Sequence, residues 1–234
     1  MTIKGSNIII TGGSSGIGKE TAKQLIEKGA NVLITGRDKE KLNIISEKIG
    51  AIPLHFDISN LNSISEKAKE AINLLDGKLD VLVNNAGIGV FPELGKITEN
   101  DLLSVYNTNV FGLALYTQEL LSVFKQQQSG NIINIGSTAS LKGFAKGSVY
   151  AASKFALRGM TQSWQSELRQ DNIRVSLINP SEVTTAFADN TREERVEESN
   201  KLGPKNIAQT ILSVLEMQDK SFVPEITVWA TNPF

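Results

Sequence analysis

The chain has 234 residues, with 24 Lys plus Arg against 25 Asp plus Glu, and a net charge of −1. That balance argues against a nucleic-acid surface, and 40% hydrophobic residues are enough to build a core. There is no cysteine and a single histidine, His55, so disulfides, thiol nucleophiles, Cys-ligated zinc and multi-His metal sites are excluded.

The first residues hold only a short apolar run, Ile8-Ile9-Ile10, with no secretory pattern around it. The uncharged stretch from Leu102 to Gln118 contains Asn107, Thr108 and Asn109 and makes a poor membrane span. A soluble, cytoplasmic α/β protein is expected, bound to neither membrane nor nucleic acid and holding no metal.

A strand is predicted near 7–11. It runs into Thr11-Gly12-Gly13-Ser14-Ser15-Gly16-Ile17-Gly18, which opens a helix over 16–28. Glycines let the backbone turn tightly and approach a ligand, and the free N–H groups of a helix start favour phosphate. A structural turn is the competing reading. The second strand, near 31–35, ends at Gly36-Arg37. An acid commonly meets a free ribose 2′-hydroxyl there, whereas Arg37 offers a planar cation suited to a 2′-phosphate. That favours NADP over NAD, unless Arg37 only pairs with neighbours such as Asp38.

A helix over 38–48 leads to a third strand near 51–56. It contains Pro53, which cannot donate to a ladder, so this strand is expected at a sheet edge. Asp57 follows and could accept from an adenine amino group or cap the next helix, near 60–75. The fourth strand, near 79–84, ends in Asn84-Asn85-Ala86-Gly87.

A long helix is predicted over 98–127. Asn109 sits in its middle, where asparagine is a weak helix former. A local break holding a water is one reading; a polar contact in a helix seam is the other. The fifth strand, near 130–136, delivers Ser137. A helix over 147–170 carries Tyr150 and Lys154 four residues apart, on one face. A nearby ammonium stabilises phenolate, so the pair is expected to lower the tyrosine pKa and make a usable acid/base. Alone, the pair is weak evidence. With Ser137 delivered to the same end of a parallel sheet, it becomes a site that can hold and protonate a carbonyl oxygen.

A sixth strand near 173–179 leads into the polar segment 185–206, read as a flap over the site or as a plain solvated helix. A helix over 204–217 and a strand near 225–230 follow. The strands are continuous Val, Ile and Leu runs, as expected where both faces are covered. Gly29, Gly50, Gly77 and Gly130, each between a helix and a strand, are expected as left-handed helix ends. Strands alternating with helices predict one parallel α/β sheet of about seven strands, a single-domain doubly wound Rossmann fold over 1–234 with order 3-2-1-4-5-6-7.

Together, Thr11-Gly12-x-x-x-Gly16-x-Gly18, Asp57, Asn84-Asn85-Ala86-Gly87, Asn109, Ser137 and Tyr150-x-x-x-Lys154 resemble the short-chain dehydrogenase/reductase family. The resemblance implies a nicotinamide cofactor and an Asn-Ser-Tyr-Lys tetrad: Tyr150 the acid/base, Ser137 the carbonyl-positioning residue, Lys154 on the ribose and tuning Tyr150, Asn109 keeping a relay water. It implies cofactor contacts at Gly12, Ser14, Ser15, Gly16, Ile17, Gly18, Arg37, Asp57, Ile58, Asn84, Ala86, Gly87, Tyr150, Lys154, Pro180, Val183 and Thr185. The family often has Pro-Gly-x-x-x-Thr after the sixth strand, and Ser181 replaces that glycine here.

Phe91, Phe144 and Phe187 fall after strands four, five and six and could wall a substrate pocket or be plain core. The expected substrate is a small hydroxy acid, ketone or dicarbonyl. A 3-oxoacyl-carrier-protein reductase is the alternative, but the loops at Gln126-Gln127-Gln128-Ser129 and Gln170-Asp171-Asn172 lack the basic residues such a partner would want. A non-catalytic NADP-binding regulator is the reading of another class. Apolar residues on more than one face of helices 98–127 and 147–170 point to a homodimer or homotetramer, as the resemblance also implies.

Overall fold

A computed structural model describes residues 1–188, 195–196 and 198–233. Part of the expected flap, at 189–194 and 197, lies outside the described residues. Seven strands form one sheet: β1 (Asn7–Ile10), β2 (Asn31–Gly36), β3 (Ile52–His55), β4 (Val81–Asn84), β5 (Gly130–Ile135), β6 (Ile173–Pro180) and β7 (Glu225–Val228). All pairings are parallel and the order is β3-β2-β1-β4-β5-β6-β7, as the sequence predicts. Pro53 pairs with Ile34 on β3, the edge strand.

The helices are α1 (Gly16–Glu27), α2 (Lys39–Ile49), α3 (Ile64–Leu74), α4 (Glu99–Tyr106), α5 (Leu113–Gln127), α6 (Ser148–Leu168) and α7 (Pro204–Glu216). They cover both faces of the sheet. Ile8, Ile10, Val32 and Ile34 pack with Leu25 of α1 and Ile207 and Ile211 of α7. Ile9, Leu33 and Leu82 point the other way, onto Ala68 of α3 and Tyr116, Leu120 and Phe124 of α5. The period-two side-chain alternation is hidden in the sequence because both faces are apolar. Each such buried aliphatic side chain contributes about 1.5–3 kcal/mol. No described helix is long and apolar enough to cross a membrane.

Two local expectations are corrected. The helix over 98–127 is not one helix: a π-helical turn over Asn107–Gly112 separates α4 from α5. Gly112 lets this turn press against the loop after β3, where an added Cβ would lie 2.1 Å from the Ile58 carbonyl oxygen. Second, Gly29, Gly50 and Gly77 do have positive φ, but Gly130 does not. Gln128 (φ 51°) takes the left-handed position after α5. Gly130 already belongs to β5, and its lack of a side chain admits the Phe124 ring, 2.2 Å from where a Cβ would stand.

Candidate active site

The carboxyl ends of the strands open into a cleft of about 970 Å³, running from Arg37 through the glycine loop to Tyr150 and Phe187. An open groove of about 900 Å³ lies elsewhere, between α7 and the chain end, and holds none of the expected site residues.

Tight contacts build the first end. Gly12 (φ 66°) and Gly16 (φ 51°) take conformations that favour glycine. A Cβ on Gly12 would stand 2.9 Å from the Ala86 Cα, and one on Gly16 would stand 3.2 Å from Thr185 Cγ2. The loop is locked to the end of β4 by Thr11 and Asn85. Thr11 Oγ1 accepts from the Asn85 and Ala86 N–H groups at 3.0 Å, and Asn85 Nδ2 donates to the Thr11 and Gly12 carbonyls at 2.9 and 3.0 Å. Ser15 stands at the N-cap of α1 without a side-chain cap bond, and the first turn carries no acid. That leaves a cradle of backbone N–H groups facing the cleft, with the chemistry to hold a pyrophosphate.

Of the expected cofactor residues, Gly12, Ser14, Ser15, Gly16, Ile17, Arg37, Asp57, Ile58, Ala86, Gly87, Pro180, Val183 and Thr185 line this cleft. Two do not. Gly18 is buried against Gly12 and Asn85 and serves the close packing of α1 on the loop. Asn84 turns away into the protein, where Nδ2 donates to Thr117 Oγ1 and Asn134 Oδ1, both at 2.9 Å. Neighbours on a strand point to opposite faces, so of the two asparagines only Asn85 reaches the cleft. Asn85 and Thr11 stand in the motifs, but the sequence reading gave them no role in the site.

Arg37 is exposed at the cleft edge. Asp38 is committed elsewhere: its side chain caps α2, accepting from Lys41 N at 3.0 Å. His55 Nε2 meets the Arg37 carbonyl at 3.0 Å. Asp57 Oδ1 accepts from Ser59 N and Oγ at 3.0 and 2.7 Å, holding the turn before α3. Ser181 is not among the residues with positive φ, so its place after β6 does not call for glycine. Its N–H donates to the Val228 carbonyl at 2.9 Å. A parallel bridge joins Val183 to Leu202, near the two ends of the segment expected as a flap.

At the other end, Ser137, Tyr150 and Lys154 meet on the cleft floor. The Ser137 hydroxyl lies near enough to the Tyr150 hydroxyl to favour its ionised form, and it accepts from Ala139 N at 3.1 Å. Lys154, buried on α6, donates to the Ile135 carbonyl at 2.7 Å, with its Nζ 5.8 Å from the Tyr150 ring centre. Asn109 stands behind the cleft wall in the π-helical turn. Its Oδ1 accepts from Ile88 N at 2.9 Å, and its Nδ2 donates to Ile88 O at 2.9 Å and Ser153 Oγ at 3.1 Å. Ser153 in turn donates to the Tyr150 carbonyl at 2.7 Å.

The expectation that Lys154 lowers the Tyr150 pKa is not met in this arrangement. Burial pushes Tyr150 up to about 12, with the Ser137 hydroxyl pulling weakly the other way. Burial also brings Lys154 down to about 8. Both groups are desolvated, and desolvation disfavours the charged form of each.

Phe91 and Phe187 each set an edge towards Tyr150, with ring centres 5.5 Å away, and Phe144 lies 6.0 Å from Phe91. Phe91 and Phe144 are 37% and 51% exposed, so they line a mouth rather than fill a core.

Comparison with known proteins agrees with this geometry. The short chain dehydrogenase family model matches residues 6–196. Carbonyl reductase family member 4 of Xenopus laevis is 35% identical over 212 residues, covering 88% of this chain and 89% of that protein. The 3-oxoacyl-[acyl-carrier-protein] reductase of Thermotoga maritima is 32% identical over 235 residues, covering 95% of each. A metagenomic short-chain oxidoreductase solved in complex with NADP superposes with a TM-score of 0.83 at 31% identity, covering 97% of this chain and 98% of that one. The archaeal alcohol dehydrogenase from Thermococcus sibiricus shares the fold with a TM-score of 0.89 at 24% identity over 97% of each chain. A seven-stranded Rossmann-like sheet with a Ser-Tyr-Lys floor defines a class of oxidoreductase. The chain belongs to the short-chain dehydrogenase family.

Proposed function

We propose that this protein is an NADP(H)-dependent reductase of small, uncharged carbonyl compounds, running also in the alcohol-oxidising direction. The observation that carries the reading is that Ser137, Tyr150 and Lys154 line one cleft, set between a phosphate cradle and an aromatic mouth.

Bound in the cleft, a nicotinamide supplies or takes up the hydride. The protein's residues do the rest. Gly12 to Ile17 offer backbone N–H groups and the helix start to the pyrophosphate, and Thr185 and Val183 border the far side. Arg37, with Lys41 beside it at the cleft edge, offers positive charge to a 2′-phosphate, which favours NADP over NAD. Ser137 orients a carbonyl oxygen, Tyr150 protonates it, and Lys154 recharges Tyr150 and holds ribose hydroxyls. Asn109 fixes the Ile88 backbone and the helix under Tyr150, the position from which it would hold a relay water.

The three phenylalanines around Tyr150 suit an apolar ketone, aldehyde or dicarbonyl better than a hydroxy acid carboxylate. The carrier-protein alternative is disfavoured because those loops carry no cation and the cations just before them are engaged: Lys125 pairs with Asp171 at 3.4 Å, and Arg169 stacks on Phe222 at 5.0 Å.

The test is initial-rate oxidation of NADPH and NADH across apolar ketones, dicarbonyls, 3-hydroxy acids in reverse, and 3-oxoacyl thioesters. NADPH-dependent turnover of the uncharged carbonyls is expected. No turnover of any member, with NADPH still bound, would leave the regulator reading in its place.

A further inference from the structure

Glu225 opens β7, and nothing in the proposed chemistry requires a carboxylate there. Its side chain is only 24% exposed. Both oxygens are used: Oε1 accepts from Asn179 Nδ2 and Oε2 from Arg158 Nε, each at 3.0 Å. Asn179, fully buried on β6, turns its Oδ1 to the Ser137 backbone N–H at 3.2 Å. Arg158 lies on α6, one turn beyond Lys154 and two beyond Tyr150. One carboxylate thus joins the backbone of Ser137 to the helix that carries Tyr150 and Lys154.

The chemistry of the link is directional. An asparagine amide has nearly the same shape either way round, but only one end accepts a hydrogen bond. Flipped, Asn179 would set its NH2 against the Ser137 N–H, donor against donor. An ionised carboxylate only accepts, so Glu225 selects the orientation with Nδ2 towards itself and Oδ1 towards Ser137. The fit is close, since a Cβ on Gly136 would stand 2.2 Å from Asn179 Oδ1. Ser140 Oγ shares the Ser137 N–H at 3.1 Å, so the turn survives without Asn179 while losing its tie to β6 and β7.

We propose that Glu225 is a positioning residue: it orients the Asn179 amide, holds α6 through Arg158, and so sets the Ser137 and Tyr150 hydroxyls against each other. The inference rests on the reductase reading for its kinetic consequence and not for its structural one. Two readouts separate them.

Without substrate, hydrogen exchange of the Ser137 amide should quicken about tenfold in Glu225→Ala and stay within about twofold in Glu225→Gln, whose Oε1 accepts from the same amide. With NADPH and a carbonyl substrate, Glu225→Ala should lose about tenfold in kcat while its NADPH Kd stays within about twofold, and Glu225→Gln, which keeps the Asn179 link and gives up the Arg158 one, should recover about half of that loss on a logarithmic scale. Glu216→Ala, which severs the Lys28 link between α1 and α7, is the control and should change neither. Unchanged exchange in Glu225→Ala overturns the proposal. So does an equal loss of rate in both Glu225 variants that tracks their melting temperatures, the mark of a merely structural pair. A wild-type protein inert towards every carbonyl overturns the reductase reading alone, because the exchange measurement needs no substrate.

Discussion

The Lys154 ammonium and the Ile135 carbonyl oxygen lie 2.7 Å apart, where α6 passes the end of β5. This contact fixes the lysine's distance from Tyr150 and accounts for its tolerance of burial. It also makes Lys154 a reporter of pH. Its folded pKa, about 8, is below that of a lysine in water. Between these two values the unfolded chain binds the extra proton, so stability rises with pH through that window. Urea unfolding should show the wild type gaining roughly 2 kcal/mol between pH 8 and 10 relative to Lys154→Met. Parallel curves for the two proteins would mean that the lysine is not desolvated.

Tyr150→Phe keeps the ring contacts with Phe91 and Phe187 and removes one hydroxyl. Turnover should fall roughly 10²–10⁴-fold, the usual worth of a positioned acid/base, with NADPH affinity nearly unchanged in a fluorescence titration. Because burial holds Tyr150 at about 12, it stays protonated at neutral pH. Carbonyl reduction should therefore be flat around neutrality, and alcohol oxidation, which needs the phenolate, should climb steadily into alkaline solution.

Arg37→Gln removes the exposed cation while leaving the α2 cap at Asp38 intact. NADPH should bind about 10- to 100-fold more weakly, with NADH affinity unchanged, as direct titration of both cofactors would show. Equal losses for the two cofactors would remove the 2′-phosphate from the argument.

Gly130→Ala drives a methyl into the Phe124 ring. Overpacking of this kind costs about 1–3 kcal/mol. A lower urea midpoint, partly restored by Phe124→Leu, is expected, with no change in cofactor selectivity because the site lies at the other end of the sheet.

Leu102, Leu103, Phe111, Leu115 and Phe155 are 38–48% exposed on α4, the π-helical turn, α5 and α6. Along helices 98–127 and 147–170, read in the sequence as a subunit face, Val105, Val110, Leu113, Leu120 and Leu168 are core, while Leu102 and Phe155 are on the surface. Five exposed apolar side chains on neighbouring elements suit a second copy of the chain. Sedimentation at micromolar concentration should give a dimer or larger, and Phe111→Glu with Phe155→Glu a monomer.

The sheet was legible because strands covered on both faces read as unbroken Ile and Val runs, and Pro53 marked the edge. The Tyr150–Lys154 spacing was legible because a helix places i and i+4 together. Three things were not. Asn84 and Asn85 look alike as a pair, and only the pleat decides which faces the cleft. The left-handed residue after α5 is Gln128 rather than a nearby glycine, because Gly130 answers to the bulk of Phe124. The Arg158–Glu225 pair spans 67 residues of sequence and leaves no local trace.

The π-helical turn at Asn107–Gly112 amounts to one residue more than a regular helix would use. Removing a residue there would let α4 and α5 merge into a better hydrogen-bonded helix, while rotating Asn109 about 100° away from Ile88 and Ser153. Local regularity and the Asn109 contacts of the proposed site are thus in direct conflict over a single residue, and on that proposal a more stable segment would make a less capable protein.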